Sequence, residues 1–153
     1  MNSKKLVPLI VRYSGLTSIA LLAYFLLMKL LSIETIVELR FLNFIIMLLG
    51  IRLFILRLKR DNNGALEYLQ SLGYGFVLAV ITAVFFSAFM FIYLAYIDPG
   101  MMQHIREYQP FGEYLTPGSA AIVLVLEGCA SGAIISFAMA QFMAREAKMR
   151  QAD

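Results

Sequence analysis

The feature that most constrains this chain is a long uncharged segment, because no Asp, Glu, Lys or Arg occurs between Glu67 and Asp98. A helix needs roughly 20 apolar residues to cross a hydrocarbon core of about 30 Å. We therefore place a membrane span at 73–97. The whole chain of 153 residues is 61% apolar and 15% charged, whereas a soluble domain carries about 25% charged residues. These values argue against a soluble globule and against disorder, and they indicate an integral membrane protein.

Two further segments, 9–31 and 119–142, also predict spans. The first has Arg12 and Lys29 near its ends, where long basic side chains can reach the membrane interface. The second contains a single charged residue, Glu127. The first segment is longer than the apolar region of a signal peptide and lacks an A-x-A-like cleavage site, so we expect a retained anchor.

The segment 36–56 is the weakest of the four predicted spans. It has Glu38 and Arg40 at its start and Arg52 near its end, and only 41–51 is free of charge. Its charged ends can lie at the two interfaces, and neighbouring helices can cover its polar groups. A re-entrant or interfacial helix is the alternative interpretation.

The basic residues outside the spans predict how the chain is oriented. Cytoplasmic segments of membrane proteins are enriched in Lys and Arg. Here the basic residues concentrate in the N-terminus, the 57–72 loop and the C-terminal tail: Lys4, Lys5, Arg12, Arg57, Lys59, Arg60, Arg145, Lys148 and Arg150. An even number of spans places all three segments in the cytoplasm. We therefore predict one all-α polytopic domain over 1–153, with four transmembrane helices in the inner membrane and both termini cytoplasmic.

Both longer loops predict short interfacial helices. Leucines recur at helical spacing in the 57–72 loop and favour a short helix before the third span. In the 98–118 loop, Asp98 fits the N-cap and Pro99 the first position of an amphipathic helix that ends near Pro110. A simple spacer is the alternative interpretation of this outer loop.

Small residues recur every fourth position in the third and fourth spans. The two sets are Gly75, Ala79, Ala83 and Ser87, and Gly128, Gly132, Ser136 and Ala140. Small side chains let membrane helices approach closely. The two sets therefore predict face-to-face packing of these spans, and a homodimer contact through one set is the alternative.

Glu127 is the one acid deep within a predicted span. At about 1.5 Å per residue, Glu127 lies roughly 12 Å and Asn43 about 10 Å below the outer boundary. A carboxylate in hydrocarbon must pair, face protein or take up a proton. We predict an intramembrane polar cluster of Glu127, Asn43 and Arg40, with Lys29 as the alternative cation. Glu127 is then either a proton or cation site or a structural pin between two helices.

The chain lacks the residue sets of common active sites. It has one cysteine and one histidine, which argues against a disulfide, a multi-cysteine metal site and a histidine-based zinc site. The net charge of +3 is too mild and scattered for nucleic-acid binding. An enzyme acting on lipids would have only His104, Glu107 and Glu113 of the outer loop available. We predict no enzymatic activity, no metal and no cofactor.

Four segments of the chain carry a resemblance to a known family: GALEYLQSLGYG at 64–75, FIYLAYIDP at 91–99, TPG at 116–118 and GAIIS at 132–136. Together they resemble a bacterial membrane family designated domain of unknown function 4199. The resemblance covers most of the chain from about residue 45 onward, and the outer loop is shorter than is usual for the family. It implies a four-helix inner-membrane protein, typically of Bacteroidetes-type bacteria, and it implies no activity and no catalytic residues.

Two functional hypotheses remain from the sequence. The small size, short loops and small-residue helix faces favour a non-catalytic subunit or scaffold of a larger membrane assembly, with a membrane-protein partner or a second copy of the chain bound within the bilayer. The alternative is a small oligomeric channel or a proton- or cation-coupled transporter that uses Glu127.

Overall fold

The computed structural model describes residues 3–31, 41–62, 66–108 and 112–152, except for the side chains of 3–5, 104, 108 and 146–152. The described helices are α1 (Ser3–Leu30), α2 (Phe41–Asp61), α3 (Tyr68–Ile92), α4 (Pro99–Tyr108) and α5 (Pro117–Ala152), with a π-helical turn at Tyr93–Ile97 and a 3-10 turn at Gly112–Tyr114. No strand occurs in these ranges. Four helices are long and apolar enough to cross a membrane. The predicted all-α fold with four spanning helices is confirmed.

The helices extend beyond the predicted apolar segments. Helix α2 continues to Asp61, about one turn past residue 56, and α5 continues to Ala152, well past residue 142. The extensions are rich in Lys, Arg, Gln and Ala, which are strong helix formers. Hydropathy detects only the apolar part of such a helix. The backbone hydrogen bonds continue into the polar part, so the helix extends beyond the apolar segment.

The leucine spacing of the 57–72 loop predicted a short helix leading into the third span, and in the structure this helix is joined to the span itself. Residues 57–61 form the end of α2, and the leucines Leu69 and Leu72 lie in the first turns of α3. The first helical bond of α3 joins the Ser71 amide to the Glu67 carbonyl at 3.0 Å. No proline separates this turn from the apolar segment, so it continues directly into the span. Residues 63–65 lie outside the described part.

The predicted helix of the 98–118 loop is confirmed as α4. Asp98 precedes it and accepts a hydrogen bond from the Met101 amide at 3.0 Å, and Pro99 is its first residue. Met102 is buried against Met90 and Leu94, so α4 closes one end of the bundle. We call this end, where α1 ends and α5 begins, the α4 end.

Helix α3 lies at the centre of the bundle and contacts α1, α2 and α5. Helices α1 and α2 are antiparallel neighbours. The rings of Tyr13 and Phe54 lie 5.8 Å apart between them. Ser18 of α1 donates a hydrogen bond to the Thr82 carbonyl of α3 at 3.5 Å. We call the end of the bundle opposite α4 the basic end, because it carries Arg12, Arg57, Arg60 and Arg145.

Candidate functional site

The two small-residue sets meet along the contact between α3 and α5. A Cβ atom added to Gly128 would lie 2.6 Å from the Ala83 Cβ, and one added to Gly132 would overlap the Ala79 Cβ. A Cβ at Gly75 would lie 2.8 Å from the Ser136 hydroxyl oxygen. The residues therefore pair in steps of four along antiparallel helices. Because the glycines have no side chain, the backbones of α3 and α5 can approach each other closely at these positions.

Serine side chains extend this contact at both ends. At the α4 end, Ser87 donates a hydrogen bond to the Ala121 carbonyl at 2.6 Å. Toward the basic end, Ser136, Ala140 and Ser71 are fully buried. Ser71 lies four residues before Gly75 and belongs to the same set. Sequence reasoning missed it, although the four-residue spacing would have found it.

A small cavity opens between α2 and α5, and we call it the notch. Its volume is about 80 Å³, which is enough for a few water molecules. Its lining comes from four helices: Leu21 of α1; Asn43, Phe44 and Met47 of α2; Ala83 and Phe86 of α3; and Leu124, Glu127, Gly128 and Ser131 of α5. The notch is thus a local opening in the side of the bundle.

Two residues of the predicted polar cluster, Asn43 and Glu127, line the notch together. The side-chain oxygen of Asn43 is buried and has no hydrogen-bond partner among the described residues. Glu127 is exposed and therefore lies at the rim, and nothing in the described part of the chain forms an ion pair or hydrogen bond with it. Ser131 also lines the notch. Sequence reasoning missed Ser131, although it follows Glu127 by about one helical turn.

The two predicted cations of the cluster are placed differently. Arg40 lies outside the described residues. The Lys29 ammonium lies 2.7 Å from the Asp98 carboxylate at the α4 end. Sequence reasoning assigned Asp98 only as a helix cap and missed this pair. The hydrogen bond from Lys29 and then the one from the Met101 amide lower the pKa of Asp98, and they outweigh the opposing effect of burial.

Of the 98–118 loop residues considered for lipid chemistry, neither Glu107 nor Glu113 lines the notch. Glu107 is exposed on α4, and Glu113 is exposed on the 3-10 turn. The side chain of His104 lies outside the described part. Within the described ranges, no three His, Cys, Asp or Glu side chains come close enough to hold a metal ion.

The sequence comparison identifies the family. Residues 12–145 match the family described as Protein of unknown function (DUF4199). The chain belongs to this family. The match begins within α1 and therefore includes most of α1 and all of α2. The resemblance predicted from the sequence began only at about residue 45, within α2. No curated protein and no solved structure matches this DUF4199 protein. Its four apolar helices make it a multi-pass membrane protein of unknown function.

Proposed function

We propose that this DUF4199 protein is a non-catalytic subunit of a larger assembly in the inner membrane, and that a transmembrane helix of another protein covers the notch. The observation that supports this proposal is an exposed carboxylate, Glu127, beside the unpaired carbonyl oxygen of Asn43. An unsatisfied buried polar group costs about 1–3 kcal/mol, and a charged side chain in the bilayer interior costs more. A partner that supplies hydrogen-bond donors removes both costs.

The position of Glu127 along α5 makes contact with bulk water a poor alternative. Glu127 follows Pro117, the first residue of α5, by ten residues. At 1.5 Å per residue, this is about 15 Å from the start of the helix, which is well inside a hydrocarbon core of about 30 Å. The carboxylate therefore needs a partner within the membrane, either a donor side chain or a proton.

The chemistry of the notch favours a Lys, Arg or amide side chain on the partner helix. A carboxylate and an amide oxygen are both acceptors, and both lie on the same cavity. A second copy of the chain fits less well. In a parallel pair of chains, residues that face each other lie at the same depth in the membrane. The exposed cation Arg52 lies nine residues beyond Asn43 on α2, about 13 Å away along the membrane normal, so it would not reach the notch of the second copy.

A channel within a single chain is less compatible with the notch. The lining residues of α5 run from Leu124 to Ser131. They cover about 10 Å of a hydrocarbon core of about 30 Å. The notch therefore opens sideways toward lipid, as expected for a helix-docking site.

We also propose that the basic end faces the cytoplasm, so that both termini are cytoplasmic. Arg12, Arg57, Arg60 and Arg145 lie at this end, and cytoplasmic flanks of membrane helices are enriched in such residues. A fluorescent protein fused to the C-terminus should fluoresce, and alkaline phosphatase fused there should be inactive. The reverse result would overturn this orientation.

Purification of the native full-length chain in mild detergent, followed by mass measurement, tests the subunit proposal. A second membrane protein should co-purify with the wild-type chain in a stoichiometric amount, and it should have a Lys, Arg or amide residue within a span. Glu127→Leu should lose this protein while its circular dichroism stays helical. Val123→Leu is the matched control, because Val123 is 53% exposed on the same helix and does not line the notch.

Three outcomes would count against the proposal. The wild-type chain could migrate as a lone monomer, or Glu127→Leu could retain the partner. A proton or cation flux in proteoliposomes that Glu127→Gln abolishes would replace the subunit assignment with a transporter.

A further inference from the structure

The lipid-facing side of α2 carries two exposed arginines near the basic end, Arg52 and Arg60. Neither forms an ion pair or hydrogen bond within the described part of the chain. A third arginine, Arg57, pairs with Asp61 at 3.2 Å. Two guanidinium groups on α2 thus have no compensating acid among the described residues.

The surroundings of Arg52 are apolar. Arg52 lies nine residues before Asp61, the last residue of α2, so it lies about 13 Å inside that helix end. Leu49, Leu53 and Leu56 around it are 48%, 57% and 41% exposed. These leucines mark a lipid-facing surface.

The spacing of Arg52 and Arg60 fits one headgroup. Arg52, Leu56 and Arg60 follow one another at four-residue intervals, so they form one row along the helix surface. Arginine binds phosphate oxygens through paired N–H donors. A phosphate drawn between the two side chains would accept hydrogen bonds from both and offset one of the two positive charges, and Leu56 of the row would contact an acyl chain.

We infer that this surface of α2, formed by Arg52, Leu56 and Arg60, binds an anionic phospholipid of the leaflet at the basic end through its phosphate group. An anionic lipid fits better than a zwitterionic one. A zwitterionic headgroup would place its own cation beside the two arginines, whereas an anionic headgroup adds no positive charge. The one acid on α2, Asp61, pairs with Arg57.

Native mass spectrometry of the full-length protein, released from nanodiscs with equal amounts of phosphatidylglycerol and phosphatidylcholine, tests this inference. The wild-type protein should retain phosphatidylglycerol in preference to phosphatidylcholine. The double variant Arg52→Gln/Arg60→Gln should bind it about thirty-fold more weakly, because each arginine near a charged surface contributes roughly a fivefold gain in affinity. Inorganic phosphate added in solution should leave the retained lipid unchanged, which separates a lipid from a free anion.

The matched control is Arg12→Gln/Arg145→Gln, which removes the same charge from α1 and α5 at the same end. It should retain phosphatidylglycerol as the wild type does, and thermal unfolding should show that both double variants are folded. Equal loss of lipid in both double variants would overturn the inference, and so would equal retention of the two lipids by the wild type. An acidic protein found bound to the wild type in place of the lipid would also overturn it.

Discussion

The Lys29 ammonium lies 2.7 Å from one oxygen of Asp98, and the Met101 amide donates to the other oxygen at 3.0 Å. One carboxylate therefore joins the end of α1, the π-helical turn after α3 and the first turn of α4. The two side chains of the ion pair are 33% and 26% exposed. At that exposure, the pair contributes modestly, and the position of α4 depends on the pair and the cap together.

We expect Asp98→Ala to lower the free energy of unfolding by about 1–2 kcal/mol, since it removes a helix cap and a partly exposed ion pair. Thermal unfolding in detergent checks this value. Asp61→Ala is the control, because it removes only the exposed pair with Arg57 on α2 and should cost about 0.5 kcal/mol or less. Equal losses in the two variants would contradict the role assigned to Asp98.

The pH dependence of stability should reveal the charge on Asp98. Its pKa is lower in the folded protein than in the unfolded chain, because Lys29 and the Met101 amide stabilise the charged form. Its contribution is therefore present above the unfolded value of about 3.9 and is lost as pH falls through the folded pKa. The melting-temperature difference between the wild type and Asp98→Asn should be constant above about pH 5 and shrink below about pH 4. A difference that grows on acidification would contradict this sign.

The contact between α3 and α5 predicts a steric effect at Gly132. A methyl group there meets the Ala79 side chain, so Gly132→Ala should cost about 1–3 kcal/mol. Gly73→Ala is the matched control, because nothing lies within 4 Å of an added Cβ. It should be neutral or gain about 0.5–1 kcal/mol from helix propensity. Adding Ala79→Gly to Gly132→Ala should restore part of the loss, and an unchanged loss would argue against this contact.

The contact between α1 and α2 depends on Gly50 in the same way. An added Cβ at Gly50 meets the Thr17 side chain, with the Thr17 Cγ2 at 2.8 Å. We expect Gly50→Ala to cost about 1–3 kcal/mol. Thr17→Ala in the same chain should recover most of that loss, because the clashing atoms are then absent. The coupling energy from a double-mutant cycle measures the contact, and a value near zero would contradict it.

Several local features followed from the sequence because their causes are local. The Asp98-Pro99 pair places the start of α4, since an N-cap acceptor and a fixed proline φ act on adjacent residues. The cap of α5 was not predicted, although it is equally local: the Ser119 amide donates a hydrogen bond to the Thr116 hydroxyl at 3.1 Å. In the 57–72 loop, the leucine spacing predicted a helix before the third span, and that helix forms the first turns of α3. Periodicity identifies a helical face and does not show whether one helix is continuous with the next.

The polar cluster depended on information that a sequence does not carry. The rise per residue is fixed in a helix, so the sequence predicted that Asn43 and Glu127 lie at similar depths. Both residues line the notch. Depth does not specify rotation about the helix axis. Helix α5 turns Gly128 toward Ala83 of α3, and the adjacent residue Glu127, about 100° around the helix, is thereby placed at the exposed rim.

The sequence by itself determined the four apolar helices, the start of α4 and the family, because each depends on the order of residues along the chain. The tertiary structure decided which helix faces meet and which charges pair. Lys29 lies against Asp98, and Glu127 borders the notch, because close packing of small residues fixes how each helix is rotated against α3. That rotation is a property of the contact between helices, so no single helix segment contains it.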